Sequence, residues 1–464
     1  MVPERLTPII EAVRPLAARF DAAGHRVYLV GGIVRDAVLG RLPERYDIDL
    51  TTDARPDETA AIAGPWADAL WEQGARFGTI GIRKGDLTFE ITTHRAEAYV
   101  PDSRKPDVVF ADEVEADLSR RDFTVNAMAL RVTGAEGEAP ELIDPYGGVP
   151  DLAAGVLRTP LAPEVSFSDD PLRMLRAARF TAGYGLVPEP ELVTAVRSMV
   201  DRLEIVSAER IRDELSKLLV VEDPSAGLWF LVDTGIADVV LPELPALRVE
   251  QDPIHRHKDV LAHTVAVVAK TKPDLVVRMA ALLHDVGKPK TRSIGPRGVS
   301  FHHHEVVGAR MARDRLRALR FTNEQVEAIS QLVYLHLRFH GYGDDVWTDA
   351  AVRRYVRDAG PLLTRLNELT RCDCTTRDER KARQLAARMD ALEARIDELR
   401  QREELEAIRP DLDGQAVMAH LGIGPGPLVG QALSMLLEAR LEEGPLGEDE
   451  AYRRLDTWWA EQER

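Results

Sequence analysis

The stretch 29-LVGGIVRDAVLGRLPERYDIDL-50 decides the fold. It opens on an apolar strand that breaks at Gly31-Gly32 and runs into a short helix stopping at Gly40. It ends with Asp47 and Asp49 in a segment otherwise suited to a buried strand. Glycine lets backbone approach a ligand closely, and the first turn of the next helix offers N–H groups without intrahelical partners, a seat for phosphate. In YDIDL a period of two sets Asp47 and Asp49 on one face and Ile48 and Leu50 on the other. Carboxylates this close repel, and a hard divalent cation with oxygen ligands offsets the repulsion. Glu90, in LTFEITTHR, is a third carboxylate that a neighbouring strand could supply. A phosphate cradle beside metal-binding carboxylates is the equipment of nucleotidyl transfer, in which Mg²⁺ ions bridge a triphosphate, activate a hydroxyl and stabilise the leaving pyrophosphate. Each signal alone is common in solvated strands and loops; their order and close spacing carry the inference.

Working outward, 464 residues are too many for one ordinary core, so three or four units are expected. Strands are expected at 27–31, 46–50, 80–84, 87–92 and 107–110. After Pro171 the pattern turns almost wholly helical, with breaks at Pro242 and from Pro253. Residues 263–288 read as two helices, 380–409 as a long charged amphipathic helix, and 422–430 as a turn into a final helical hairpin. The net charge of −17 argues against a large basic footprint for nucleic acid but leaves room for a local one. The first residues, with Glu4, Glu11 and several arginines, do not form a signal peptide, and Arg278, His284 and Asp285 interrupt the longest apolar run before it reaches membrane-spanning length. Cys372 and Cys374 are the only cysteines, one residue apart, which fits a reducing cytoplasm.

The run LVGG-x-VRD-x-x-LG followed by DIDL resembles the signature of polymerase-β-type nucleotidyltransferases, in the branch of tRNA CCA-adding enzymes and bacterial poly(A) polymerases. RRDFTVNAMAL (120–130), IDPYGGVPDL (143–152), DDPLRMLRAARF (169–180) and SAERIRDELSKLL (207–219) extend the likeness. The resemblance implies an α+β chain: a mixed-sheet nucleotidyltransferase head over 1–151, a helical neck over 152–250, an HD-type helical domain over 251–380 and a helical tail over 381–464. It gives Asp47 and Asp49 the catalytic metals, with Glu90 as a further carboxylate. It places Gly31, Gly32, Arg35, Arg120, Arg121, Asn126, Asp170, Arg173, Arg176 and Arg179 at the nucleotide. The family usually carries Phe-Arg where this chain has His94-Arg95.

Chemistry supports part of that assignment directly. Asp170 can cap the helix that Pro171 opens, and Arg173, three residues on, can present beside it. Cytosine and adenine each offer an amine donor next to a ring-nitrogen acceptor. A carboxylate and a guanidinium match that edge, whereas guanine and uracil would leave both protein groups mispaired. Arg120 and Arg121 are fixed cations suited to triphosphate oxygens, and Asn126 to a sugar hydroxyl.

A histidine-rich series follows: His263 in HRHKDVLAHT, His284-Asp285 in LLHDVGKP and FHHHEVVGA after them. It resembles the HD superfamily of metal-dependent phosphohydrolases, with Asp373 as the closing ligand of a second divalent-metal site. His302, His303 and His304 read as ligands, as a phosphate clamp or as helix-entry residues. Arg310, Arg313, Arg317 and Arg320 fall at helical spacing and form a candidate RNA-contacting stripe, for which a solvated face is the competing reading. The tail resembles one that grips tRNA by shape.

The expected activity is template-independent addition of C, C and A to tRNA from CTP and ATP, in a chain closest in pattern to actinobacterial members. The alternatives are a poly(A) polymerase or partial C- or A-adding enzyme, an HD phosphohydrolase, and a non-catalytic tRNA-binding protein.

Overall fold

A computed structural model of the chain describes residues 4–42, 46–98, 107–248, 259–295, 298–342, 347–374, 378–403, 405 and 408–462. The chain divides into two compact units, Met1–Leu241 and Pro242–Arg464.

The first unit carries a sheet made of β1 (Val27–Val30), β2 (Ile48–Thr52), β3 (Ala69–Trp71), β4 (Thr79–Lys84), β5 (Leu87–Thr93), β8 (Ala129–Val132) and β9 (Glu141–Ile143), while β6 (Arg95–Ala98) and β7 (Asp107–Phe110) form a separate pair. The order is β3-β4-β5-β2-β1-β8-β9, and all neighbours are antiparallel except β2 with β5. β1 is buried along its whole length, as expected of VYLV at the centre of a sheet. In β2, Ile48 and Leu50 face the core while Asp49 faces out, so burial of two aliphatic side chains, each worth about 2 kcal/mol, fixes which way the carboxylate points. The helix Thr7–Ala22 covers the sheet with Ile9, Val13, Leu16 and Phe20. The helix Gly32–Leu39 ends on Gly40 at φ 72°, the left-handed stop that glycine favours.

Beyond the sheet the unit is helical. Leu172–Tyr184 packs against Ala208–Leu219 and Ser225–Thr234. The second unit is built from helices Val260–Lys270, Leu275–Leu283, His304–Ala318, Asn323–Leu335, Asp349–Ala359 and Leu363–Asp373. The long helix Glu379–Arg402 follows, then Gly414–Leu421, Pro427–Glu443 and Glu448–Gln462. Among the described residues no helix is long and apolar enough to cross a membrane.

Several expected bounds move. The second strand begins at Ile48, not residue 46, and ends at Thr52. The charged helix stops at Arg402, where Glu403 takes extended backbone; Glu403 instead pairs with the buried Arg353 at 2.8 Å. The strands β3, β6, β8 and β9 carry no clear period-two signal in the sequence, and all are only three or four residues long.

Candidate active site

β2 and β5 run parallel with Asp49 opposite Glu90 and Thr51 opposite Thr92. This register, set by the buried faces of both strands, puts the two carboxylates side by side on the floor of a pocket of about 350 Å³. Asp47 stands exposed one residue ahead of β2. Asp49 keeps solvent access, but the pocket walls strip much of its water. That desolvation, with the charge of Glu90 and then Asp47, pushes its carboxyl up to about 6 against the opposing pull of Arg121. Crowded oxygen ligands whose repulsion no protein cation fully relieves fit a hard divalent ion.

Gly31 sits at φ 72°, and a Cβ there would lie 3.1 Å from Arg121 Nη1 and 3.9 Å from Asp49 Oδ2. Only glycine serves both demands. A Cβ on Gly32 would lie 3.4 Å from Arg35 Nη2. Arg121 and Arg120 flank the buried Asp117, with N–O distances of 3.0 and 3.5 Å. Burial opposes ionisation of Asp117, but the two arginines hold its carboxyl below the usual range.

Behind the carboxylates lies His94, fully buried. Thr51 donates its hydroxyl to the Thr92 carbonyl at 3.0 Å, so at 2.8 Å its oxygen accepts from His94 Nδ1, which therefore carries the proton. His94 Nε2 is buried without a hydrogen-bond partner. Burial lowers the imidazole pKa and keeps it neutral.

The opposite wall comes from the helical part. Asp170 and Arg173 line the same pocket as Asp49. Asp170 Oδ1 accepts from the Leu172 N–H at 3.2 Å, which is the capping role, and Oδ2 accepts from Arg210 Nη2 at 2.7 Å. Arg173 is buried and donates to Ser166 O and Oγ at 3.2 and 2.9 Å and to the Arg120 carbonyl. Arg176 donates to Asp122 Oδ2 at 2.6 Å, and Asn126 donates to Asp122 Oδ1 at 2.9 Å. Arg35 donates to Asn126 Oδ1 at 2.6 Å and to Tyr184 Oη, with its guanidinium 4.2 Å from the Tyr184 ring. Arg35 and Asn126 are thus buried in a network behind the pocket, and Arg179 turns to Glu214.

In the second unit His263, His284, Asp285 and Asp373 come together although Asp373 lies far along the chain. His263 Nε2 is 2.9 Å from Asp373 Oδ1, and His284 Nε2 is 3.2 Å from Asp285 Oδ2. Burial works against a charge on His284, yet Asp285 and Asp373 push its pKa up to about 10, and burial followed by the charge on His284 pushes His336 down to about 3. Of the histidine triple, His304 is buried against Asp285, while His302 and His303 are exposed. On the arginine stripe, Arg313 and Arg317 share Glu327 at 2.9 and 3.8 Å, Arg310 is exposed on the same helix, and Arg320 lies past its end at φ 62°.

Three family models match in order: the poly A polymerase head domain over 27–158, the probable RNA and SrmB-binding site of polymerase A over 185–247, and the HD domain over 260–396. The A-adding tRNA nucleotidyltransferase of Deinococcus radiodurans is 35% identical over 94% of this chain and 95% of its own length. The chain belongs to the tRNA nucleotidyltransferase family. Within this family, the CCA-adding enzyme of Limosilactobacillus reuteri is 38% identical over 50% of this chain and 55% of its own length. The Bacillus stearothermophilus CCA-adding enzyme, solved with CTP, superimposes with a TM-score of 0.68 over 98% of this chain and 99% of that one; at 23% identity this is a likeness of fold.

Some members of both clusters escape the sequence reading of this tRNA nucleotidyltransferase family chain. Arg210 stands among several charged residues of ERIRDE, and nothing local separates it from Arg212. Nothing in the local sequence singles out Asp117 or Asp122. His336 had a usable signal: it follows Ile329 and Val333 at helical spacing on a buried face.

Proposed function

We propose that this chain adds C, C and A to the 3′ end of tRNA, taking CTP and ATP in turn without a nucleic-acid template. The observation that carries it is a single pocket that joins a transfer site to a base reader, with Asp49 and Glu90 on the floor and Asp170 and Arg173 on the wall. Asp47, Asp49 and Glu90 would hold Mg²⁺, which supplies charge stabilisation for phosphoryl transfer. Arg120 and Arg121 bind triphosphate oxygens, and Gly31 keeps the backbone out of their way. Asp170, fixed by Arg210 and the Leu172 N–H, accepts from the amine of cytosine or adenine. Arg173, held by Ser166, donates to the ring nitrogen beside it. Guanine and uracil meet like partners on both sides. Arg35, Asn126 and Arg176 brace this wall through Asp122. The head, over 1–151, does the chemistry, the neck, 152–250, reads the base, and the tail, 381–464, holds tRNA by shape in a cytosolic enzyme.

A second reading, addition of the terminal A alone, is favoured by the name of the Deinococcus relative, which this chain matches over nearly its full length. A tRNA ending at the base before CCA, and one ending in CC, are each given CTP, ATP or both, and the products are sequenced. The main reading expects two Cs with CTP alone, a completed CCA with both, and one A on the CC end. Extension of the CC end only supports the A-adding reading, and long A tracts contradict both.

The assembled His263–His284–Asp285–Asp373 group favours a separate activity, hydrolysis of a phosphate ester at a metal in the HD domain, 251–380. It is tested by phosphate release with and without His284→Ala.

A further inference from the structure

We propose that Thr92 and Arg95 form a substrate-phosphate clamp on the Glu90 side of the pocket, aligned through Thr79. The inference rests on the reading of this pocket as a nucleotidyl-transfer site and adds to it two binding residues that the motifs leave out.

Along β5, Thr92 follows Glu90 by two residues, so its side chain stands on the same face of the strand. Parallel pairing sets it opposite Thr51, as Glu90 stands opposite Asp49. Thr92 and Arg95 line the pocket together with Asp49 and Glu90. Arg95 opens β6 and is half-buried. Its Nη2 donates to Thr79 Oγ1 at 3.2 Å, and Thr79 Oγ1 lies 3.0 Å from Thr92 Oγ1. A guanidinium only donates, so Thr79 accepts from it. With one donor and one acceptor role per hydroxyl, Thr79 passes its hydrogen to Thr92, and the Thr92 hydrogen turns to the pocket. The row delivers a fixed cation and an O–H donor to one place.

The backbone leaves a fitted slot for the guanidinium. A Cβ on Gly78 would lie 3.4 Å from Arg95 Nε and 2.9 Å from Phe110 Cε1, and Phe110 stands opposite Arg95 in the β6–β7 pair. Asp117 Oδ1 accepts from the Arg95 backbone N–H at 3.4 Å. Asp117 also holds Arg120 and Arg121, so one buried carboxylate ties the triphosphate cations to the strand that presents Arg95.

Asp49 and Glu90 repel any anion brought beside them, yet nucleotidyl transfer places phosphate oxygens there. A guanidinium beside a hydroxyl offsets that repulsion and matches an ionised phosphate, whose oxygens only accept. Two substrate groups carry such oxygens: the triphosphate of the incoming nucleotide and the phosphodiester next to the tRNA 3′ hydroxyl.

The test is steady-state incorporation of CTP into tRNA lacking CCA and of ATP into tRNA ending in CC, by wild type, Thr92→Val, Arg95→Gln and Arg95→Lys, with folding checked by circular dichroism. Loss of a hydrogen bond to a charged group is worth about 10-fold in affinity. Thr92→Val and Arg95→Gln are each expected to raise the same KM by that factor, with kcat changed less than KM, and Arg95→Lys to raise it less than Arg95→Gln. A higher nucleotide KM assigns the clamp to the triphosphate, and a higher tRNA KM assigns it to the phosphodiester. Unchanged KM values for both substrates in a folded variant, a fall in kcat alone, or different substrates affected by Thr92→Val and Arg95→Gln overturns the clamp and leaves the transfer site standing. Incorporation of neither nucleotide by the wild type overturns the transfer reading and the clamp with it. Where one variant does not fold, the other decides.

Discussion

At the residue scale the head turns on single side chains whose neighbours set their state. His94 occupies a position where the family usually has phenylalanine, and it leaves Nε2 buried without a partner. An unsatisfied buried acceptor costs about 1–3 kcal/mol, so His94→Phe is expected to raise the urea midpoint of the first unit by an amount equivalent to about 1 kcal/mol. A lower midpoint would show that the Thr51 contact outweighs the orphaned nitrogen. Asp170 is the acceptor half of the proposed base reader. Asp170→Ala is expected to cut CTP and ATP incorporation by about 10²-fold and to narrow their preference over UTP and GTP, read as ratios of kcat/KM. These positions were partly legible in the sequence. Asp47, Asp49, Asp170 and Arg173 stand in motifs whose residue types declare their chemistry. Arg210 does not, because its partner lies forty positions away and only the fold brings the two together.

At the element scale, parallel pairing of β2 with β5 makes the carboxylate floor, and the helix Val114–Ser119 carries the buried Asp117 that holds Arg120 and Arg121 toward it. Removing one partner of a buried charge cluster costs about 3–5 kcal/mol, so Asp117→Asn is expected to destabilise the first unit by that order and to loosen triphosphate binding, seen as a higher KM. The carboxyl of Asp117 is depressed in the folded chain. Its stabilising contribution is therefore present at neutral pH and is lost as pH falls through its folded pKa, and the variant is expected to show a flatter acid limb in stability against pH. The central strands and main helices follow from period and capping in the sequence. The short strands β3, β6, β8 and β9 do not, because three or four residues carry too little pattern to separate strand from loop. The register that sets Asp49 against Glu90 is a property of the pair of strands, and neither strand alone specifies it.

At the scale of the whole molecule, a net charge of −17 must coexist with binding of a polyanion. The arginine stripe is partly neutralised by Glu327, which leaves few cations for phosphates. Recognition by shape predicts a shallow salt dependence of tRNA affinity, with a slope of log K against log salt smaller in magnitude than about 3; a steep slope would require a broad basic face instead. The matched head, RNA-binding and HD segments follow one another in the order of the motifs, whereas His336 joins the histidine cluster only through packing of helices distant in sequence. The central claim is that the Asp49 pocket performs nucleotidyl transfer, and single-turnover incorporation of CTP into tRNA lacking CCA by Asp49→Asn, with tRNA affinity measured in parallel, tests it most directly. The account predicts incorporation reduced by about 10³-fold or more, as when a group stabilising transition-state charge is lost, with tRNA affinity nearly unchanged. Incorporation at the wild-type rate by the folded variant would contradict it.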